Sequence, residues 1–302
     1  MLKIPENFRK NVINRYNKKG KEWLENLDNI VNKYVTKFGL ENIKIIEDLS
    51  MNLVLFAKSK KYGDIVLKIN TPGKTAIREI NIMKQYYIKN MVKCYYTNVN
   101  DKVLILERII PGYSLDNVEN QSERVKLFCD VLNKYSILND GKNKFPTYEE
   151  KLKDLLKYVS DNKSKYIDIE KKKKKMKNLY AEIQKMNLDK YILHFDLNHR
   201  NILKSENDWK VIDPQGVIGE KIIDTAQFIR GEIQMSNADM SEIYQIVSLI
   251  SEELGEDKNL VLKSLYIVII EKIIWFIKTR HSKEIVSYNI DIANKVLKLI
   301  NM

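Results

Sequence analysis

Apolar positions recur at helical spacing from residue 7 to residue 38 (Trp23, Leu24, Leu27, Ile30, Val31, Tyr34, Val35, Phe38) and stop at Gly39. This predicts one long amphipathic helix with a glycine stop. The period then shortens to two. Ile43–Asp48, Leu53–Lys58 and Asp64–Ile69 read as strands, the latter two joined by a polar turn ending at Gly63. Thr75–Ile88 returns to helical spacing, and Met91–Val99 and Lys102–Ile110 are two more strands around Asn100-Asp101. Beyond Pro111-Gly112 the pattern is mainly helical, at Arg124–Leu138, Tyr148–Val159, Lys171–Met186 and roughly 222–234, 239–254, 258–280 and 284–300. Short apolar runs interrupt it at Tyr191–Leu193, Ile202-Leu203 and Val211-Ile212. Five strands with one intervening helix, followed by a helix-rich remainder, predict an α+β protein with domains at 1–110 and 111–302. No internal repeat is visible.

Composition narrows the class. With 302 residues, 44% hydrophobic and 30% charged, the chain can bury a substantial core and reads as a soluble globular protein. The formal net charge of +12 raises nucleic acid as a partner, yet only eight of the basic residues are arginine, the side chain suited to bidentate phosphate and base contacts. The expectation is no nucleic-acid partner. Leu260 to Ile277 is the most apolar stretch, but Lys263, Glu271 and Lys272 interrupt it, so it reads as a buried core helix and not a membrane span. Cys94 and Cys129 form neither a disulfide framework nor a metal-ligand spacing, and Met1 to Lys10 has no apolar signal segment, so a reducing cytoplasm is expected. Three histidines make a multi-histidine metal site improbable on numbers alone. The run Lys171 to Lys175 reads as a solvated helix face or loop.

The chemistry concentrates in His194-Phe195-Asp196-Leu197-Asn198-His199-Arg200-Asn201 with Val211-Ile212-Asp213 following. Phosphoryl transfer needs such a set: Asp196 to accept or orient the proton of an attacking hydroxyl, and Asn201 and Asp213 to hold Mg²⁺ on nucleotide phosphates. Taken alone, the run could also be a surface hairpin with an Asn-rich turn. Upstream parts favour the chemistry. Lys68 stands among apolar neighbours in Ile65-Val66-Leu67-Lys68-Ile69 and could reach the α/β-phosphates, with Glu79 on the next helix as its partner. Leu104 to Gly112 reads as a strand and hinge, in which the segment Glu107 to Ile110 is a candidate for binding an adenine edge; a plain strand-to-turn junction fits equally. No glycine occurs between Gly39 and Gly63, so Leu49-Ser50-Met51-Asn52 is not a Gly-rich phosphate cover, and Ser50 and Asn52 are the candidate phosphate donors there.

In combination these motifs resemble the aminoglycoside phosphotransferase family, with its protein-kinase-like fold, and within it the streptomycin 6-phosphotransferase and hydroxyurea phosphotransferase branch. The resemblance runs from Trp23 through Val66-Leu67-Lys68, Leu106 to Leu115 and Leu193 to Leu203, and closes with Ile212-Asp213-Pro214-Gln215-Gly216-Val217-Ile218-Gly219 and Asp224. It implies a bilobal fold: a five-stranded antiparallel N-lobe with helices and a mainly helical C-lobe. It also implies Asp196 as catalytic base, Asn201 and Asp213 as Mg²⁺ ligands, and Lys68 with Glu79 as the phosphate-binding pair. Glu107 and Ile109 would lie at the adenine, and ATP, or GTP, would be the phosphoryl donor. Asp224 would brace the loop by hydrogen bonds, and His194 would orient its backbone. Phe195 departs from the family's usual glycine and Arg200 from a small residue.

The acceptor is less defined. Between Asp224 and Asp257 eight acids (Asp224, Glu232, Asp239, Glu242, Glu252, Glu253, Glu256, Asp257) face one base, Arg230. An acidic acceptor wall would suit a cationic small molecule bearing a hydroxyl; an acidic exposed helix pair is the alternative. Three readings therefore stand: a kinase for a streptomycin-type antibiotic, a kinase for an amino alcohol or sugar, or a non-catalytic nucleotide-binding relative. In each the protein is expected as a monomer or homodimer without a membrane partner.

Overall fold

The structure is a computed structural model and describes residues 3–47, 49, 51–86, 88–142, 144–161 and 167–302. It divides into two compact units: residues 1–113 with 204–215, and residues 114–203 with 216–302.

In the first unit, α1 (Glu6–Phe38) precedes a five-stranded antiparallel sheet of β1 (Leu40–Ile45), β2 (Leu53–Ser59), β3 (Gly63–Ile69), β4 (Cys94–Asn98) and β5 (Val103–Glu107), in the order β1-β2-β3-β5-β4. The helix α2 (Lys74–Gln85) lies between β3 and β4. Five strands and one intervening helix are as the hydrophobic pattern predicts. The first strand starts earlier than the pattern suggested, directly after Gly39, because Asn42 (φ 54°) breaks the register against β2 and shifts the alternation. Its expected end at Asp48 lies outside the described residues.

Strand periodicity sorts the sheet's faces. Leu53, Leu55, Ala57, Ile65, Leu67, Ile69, Val103 and Ile105 join Trp23, Leu24, Leu27, Val31 and Tyr34 of α1 in one core, which places Val66 and Lys68 of β3 on the opposite face. The helix α1 is not the single rod its spacing suggests. Asn17 has φ 50°, ψ −128°, and the rings of Phe8 and Trp23 lie 6.2 Å apart. Fifteen residues of straight helix would separate them by about 22 Å. The chain therefore reverses at Asn17, and Phe8 and Val12 return to the core.

The second unit contains α3 (Gln121–Tyr135), α4 (Tyr148–Asp161), α5 (Ile167–Lys185), α6 (Ile222–Ser236), α7 (Met240–Leu254), α8 (Lys258–Lys278) and α9 (Lys283–Ile300). Almost every apolar residue of α8 from Leu260 to Ile277 is buried, and α4, α5, α6, α7 and α9 all pack on it. Among the described residues no helix is long and apolar enough to cross a membrane. The lysine run falls within α5, where Lys173 is buried and pairs with Glu170 at 3.0 Å, so the run is not wholly a solvated face.

Short strands position the motif residues. β7 (Lys190–Leu193) pairs antiparallel with β10 (Val217–Glu220) within the second unit. Gly219 lies opposite Tyr191, and a Cβ there would stand 2.9 Å from Leu193 Cδ1 and 3.1 Å from the Tyr148 Cβ, so this position has no room for a side chain. A second small sheet, in the order β6-β8-β9, is made of β6 (Pro111–Ser114), β8 (Ile202–Ser205) and β9 (Trp209–Val211). The hinge candidate thus continues into a strand that the pattern did not show.

The reversal in α1 has a measurable consequence. A Cβ on Gly20 would lie 2.7 Å from the Val12 carbonyl oxygen, a backbone atom that cannot rotate away. Gly20→Ala should destabilise the protein by about 1–3 kcal/mol, read as a fall of several degrees in Tm. An unchanged Tm would mean that the two helical pieces do not meet at this point.

Candidate active site

Lys68 sits on β3, the middle strand of the sheet, in register with Val54 on one side and Leu104 on the other. Its Nζ donates to Glu79 Oε1 on α2 at 2.8 Å and to Asp213 Oδ1 at 2.6 Å. Lys68 and Glu79 are both buried, so neither charge has water to fall back on. Burial alone would lower the Lys68 ammonium; the Asp213 and Glu79 carboxylates outweigh it and hold the group above the ordinary lysine range. Burial pushes the Glu79 carboxyl up, and Lys68 opposes it.

Asp213 reaches Lys68 because the whole 204–215 segment is fastened to the first unit. Val211 donates to Asn90 O at 2.7 Å and accepts from Val92 N at 2.9 Å. Lys210 Nζ pairs with Glu107 Oε1 at 2.5 Å, and Arg78 Nε donates to Gln215 O at 2.8 Å. Asp213 itself has φ 60° and precedes Pro214, a combination that L residues avoid unless their surroundings impose it. Its side chain remains 41% exposed, which leaves carboxylate oxygen accessible beyond the Lys68 contact.

In the second unit the loop after β7 carries Asp196. The Asp224 carboxylate, in the first turn of α6, accepts the backbone N–H of His194 with Oδ2 and of Phe195 with Oδ1, both at 2.8 Å. His194 is fully buried, and its Nδ1 accepts the Asp196 N–H at 3.2 Å. Both residues therefore do what the resemblance implied. Phe195 adopts φ 63°, the left-handed region where the family's usual glycine carries no steric penalty. The strain is balanced by packing: the Phe195 ring is buried edge-on to Tyr148 at 5.8 Å.

Asn201 Nδ2 donates to the Asp196 carbonyl at 2.8 Å, which leaves Oδ1 as its free acceptor. Asn198 Nδ2 approaches Asp196 Oδ1 at 3.2 Å, while its own Oδ1 caps the 3-10 turn His199–Asn201 through the Arg200 N–H at 3.0 Å. Behind the turn, His199 Nε2 lies 2.7 Å from Glu232 Oε1, and Arg124 of α3 grips both Glu232 oxygens at 2.8 Å. Burial would raise Glu232, but Arg124 and His199 outweigh it and draw the carboxyl down to about 2. Arg200 is solvated, with an ion pair to Asp116 at 3.4 Å.

The remaining candidates divide. Ser50 lies outside the described residues. Asn52 Oδ1 is committed to Thr71, accepting from its N–H at 3.1 Å and its hydroxyl at 3.3 Å, so Nδ2 alone could face a phosphate. Glu107 turns its carboxylate to Lys93 N–H and Lys210 and donates its own N–H to Lys93 O. Ile109 makes no backbone hydrogen bond among the described residues, which suits an adenine edge better than Glu107 does.

The acidic segment 224–257 resolves mostly into structural bonds. Asp224 and Glu232 are buried under the loop. Asp239 and Glu242 form the capping box of α7, Asp257 caps α8, and Glu253 lies 4.0 Å from Lys126. Arg124 was missed in the sequence. Its only signal there was rarity, as one of eight arginines in a lysine-rich chain.

Burial, opposed by the two N–H donors, pushes the Asp224 carboxyl from 3.8 up to about 7. The folded protein then holds a proton that the unfolded chain releases. The resulting stabilisation is complete below the unfolded value and is lost as pH rises through about 7. Thermal unfolding of wild type and Asp224→Asn from pH 4 to 8 should show this component in the wild type only. Parallel curves would exclude it.

The described geometry can be set beside known proteins. A family model for the aminoglycoside/hydroxyurea antibiotic resistance kinases matches residues 47–279. An ethanolamine kinase from Plasmodium vivax is similar in structure, with a TM-score of 0.65 at 16% identity over 100% of this chain and 96% of that one. An amicoumacin kinase in complex with AMP-PNP, Ca²⁺ and its ligand gives 0.65 at 15% identity over 95% and 96%. A thermostable aminoglycoside phosphotransferase in a ternary complex with ADP and hygromycin B gives 0.61 at 10% identity over 89% and 97%. No curated protein matches in sequence. At such identities the structural likenesses establish the fold, an α+β protein-kinase-like one. The family match is of a different kind, because it spans both the Lys68 strand and the Asp196 loop: the chain belongs to the aminoglycoside/hydroxyurea antibiotic resistance kinase family.

Proposed function

We propose that this protein transfers the γ-phosphate of a nucleoside triphosphate to a hydroxyl of an aminoglycoside-like, streptomycin-type antibiotic. The observation that carries the reading is the construction around Asp196. Three backbone N–H groups in succession, those of His194, Phe195 and Asp196, are taken up by Asp224 and His194, so the loop presents a half-buried carboxylate in a fixed direction. A surface turn needs no such support.

Asp196 is the base that accepts or orients the proton of the attacking hydroxyl. Lys68, fixed by Glu79, is the point charge for the α/β-phosphates. The Ile109 backbone takes the adenine or guanine edge, with Glu107 shaping the strand beneath it, and ATP and GTP both fit that description. Ser50 and Asn52 belong to the phosphate end. Asn201 Oδ1 and the Asp213 carboxylate are hard oxygen donors, the chemistry Mg²⁺ selects. Among the described residues no group of three or more His, Cys, Asp or Glu side chains forms a metal cage, which fits a cation shared with nucleotide phosphates. When bound, Mg²⁺ would neutralise charge on the β- and γ-phosphates. The protein's own part is to orient the hydroxyl, exclude water and remove the proton, without a covalent enzyme intermediate.

A second reading, an amino-alcohol or sugar kinase, draws on the ethanolamine kinase likeness and on the loss of the acidic wall, since most acids of 224–257 serve the fold.

Nucleotide-release assays against streptomycin, hydroxyurea, choline and small sugars separate the readings. Streptomycin turnover selects the first, turnover of a metabolite alone the second. Asp196→Ala should lower kcat by about 10²–10⁴-fold and leave Mg·ATP affinity nearly unchanged. A parallel loss of nucleotide affinity would assign Asp196 to structure. Asn201→Ala and Asp213→Ala should weaken metal-dependent nucleotide binding, and normal binding by both would refute the metal assignment.

A further inference from the structure

Within the second unit, a pair of opposite charges beside Asp196 is not absorbed by the fold. Arg230 lies six residues beyond Asp224 on α6, about 9 Å along the helix from the acid that holds the catalytic loop. Its Nε is buried without a hydrogen-bond partner among the described residues, and Nη1 has only a long bond to Gln234 at 3.4 Å. A buried guanidinium edge without an acceptor is costly and calls for an oxygen. Burial pulls Arg230 below the ordinary arginine range, and the charges that oppose this are the carboxylates of Asp196 and Glu271.

Glu271 comes from the largely buried α8, where it is the one acid between Leu260 and Ile277. It accepts the Tyr148 hydroxyl at 2.9 Å, and Tyr148 packs edge-on to Phe195, the neighbour of Asp196 in the chain. Lys151 Nζ lies over the Phe195 ring, 5.7 Å from its centroid. Burial pushes the Glu271 carboxyl up, with Tyr148, Lys272, Lys151 and Arg230 pulling it back. Arg230 and Glu271 thus feel each other's charge, yet no ion pair joins them among the described residues. The nearby Arg124 and Glu232, by contrast, are locked together at 2.8 Å. Two opposed groups that attract without touching leave their hydrogen-bonding edges to a third molecule.

We infer that Arg230 and Glu271 are the acceptor-recognition pair of this kinase, the guanidinium taking an oxygen vicinal to the reacting hydroxyl and the carboxylate taking a cationic group of the acceptor. This rests on Asp196 acting as the base for an acceptor hydroxyl. The class so defined is a polyhydroxylated ring that carries an amino or guanidino group, as streptomycin and glucosamine do. A simple amino alcohol lacks the vicinal oxygen.

The test crosses acceptors with variants. Streptomycin, glucosamine, glucose and ethanolamine are assayed with wild type, Arg230→Met, Arg230→Lys and Glu271→Gln, and thermal unfolding with Mg·ATP affinity serves as the folding control. Arg230→Met should lower kcat/KM for streptomycin and glucosamine by roughly 10- to 100-fold, mainly through KM, and leave any ethanolamine turnover unaffected. Arg230→Lys should recover only part of the loss, because an ammonium cannot present the planar fork. Glu271→Gln should reduce kcat/KM for the cationic ring compounds and spare glucose. Ethanolamine turned over as well as the ring compounds, or folded Arg230 and Glu271 variants with wild-type kcat/KM on every acceptor, would overturn the assignment while leaving the kinase reading intact. Failure of all four acceptors and of hydroxyurea and choline, with nucleotide still bound, would overturn the kinase reading and this inference with it.

Discussion

The loop that carries Asp196 depends on one buried carboxylate. Asp224 receives two successive backbone N–H groups, and that fork holds Phe195 in a conformation it would not choose. The direction of the next side chain, Asp196, follows from it. Without such an acceptor, two buried amide protons would go unbonded at about 1–3 kcal/mol each, and Phe195 would be released to relax. The acid also stands at the start of α6, where the helix dipole favours negative charge. The same helix carries Glu232, which anchors His199 at the far end of the loop, and Arg230 beside Asp196. One helix therefore sets both ends of the loop and carries the arginine whose charge acts on Asp196.

The two units solve the problem of a buried charge differently. Lys68 sits in the middle strand of the sheet and is matched by two carboxylates, Glu79 on the next helix and Asp213 far along the chain. Glu232 is matched by a bidentate arginine and an imidazole. Both arrangements are complete, so removing any one partner strands a charge away from water. Arg230 and Glu271 do not meet that standard, and this incompleteness sets them apart from the structural pairs.

The sequence was most legible where chemistry or periodicity is local. The apolar runs of β2, β3 and β5 mark them as strands, and Lys68 stands out as the one charge among apolar neighbours in Ile65–Ile69. Asp224 could be assigned to bracing the loop from its place in the motif. Legibility failed where a side chain's partner is far away in sequence. The acids of 224–257 looked like a patch because spacing carries no information about Arg124, about the backbone N–H groups of residues 194 and 195, or about helix caps. The reversal at Asn17 was hidden for the opposite reason: apolar spacing continued through it, and Asn17 with Gly20 was the one signal against a straight rod. Asn52 offered the right atoms for a phosphate, but its tie to Thr71 is a contact between strand ends that no local pattern announces.

The residues 204–215 belong with the first unit although 90 residues of the second precede them in the chain. The polypeptide consequently passes from one unit to the other three times, after Tyr113, Leu203 and Gln215. During synthesis the sheet around Lys68 can assemble early, but Lys68 has to wait for Asp213, its second counter-charge, until the 114–203 half of the other unit has left the ribosome. No single cut in the chain yields two self-sufficient halves. A fragment ending at residue 203 would keep a lysine buried with half of its neutralising charge, and a fragment beginning at residue 114 would carry a hairpin whose partners lie on the missing piece.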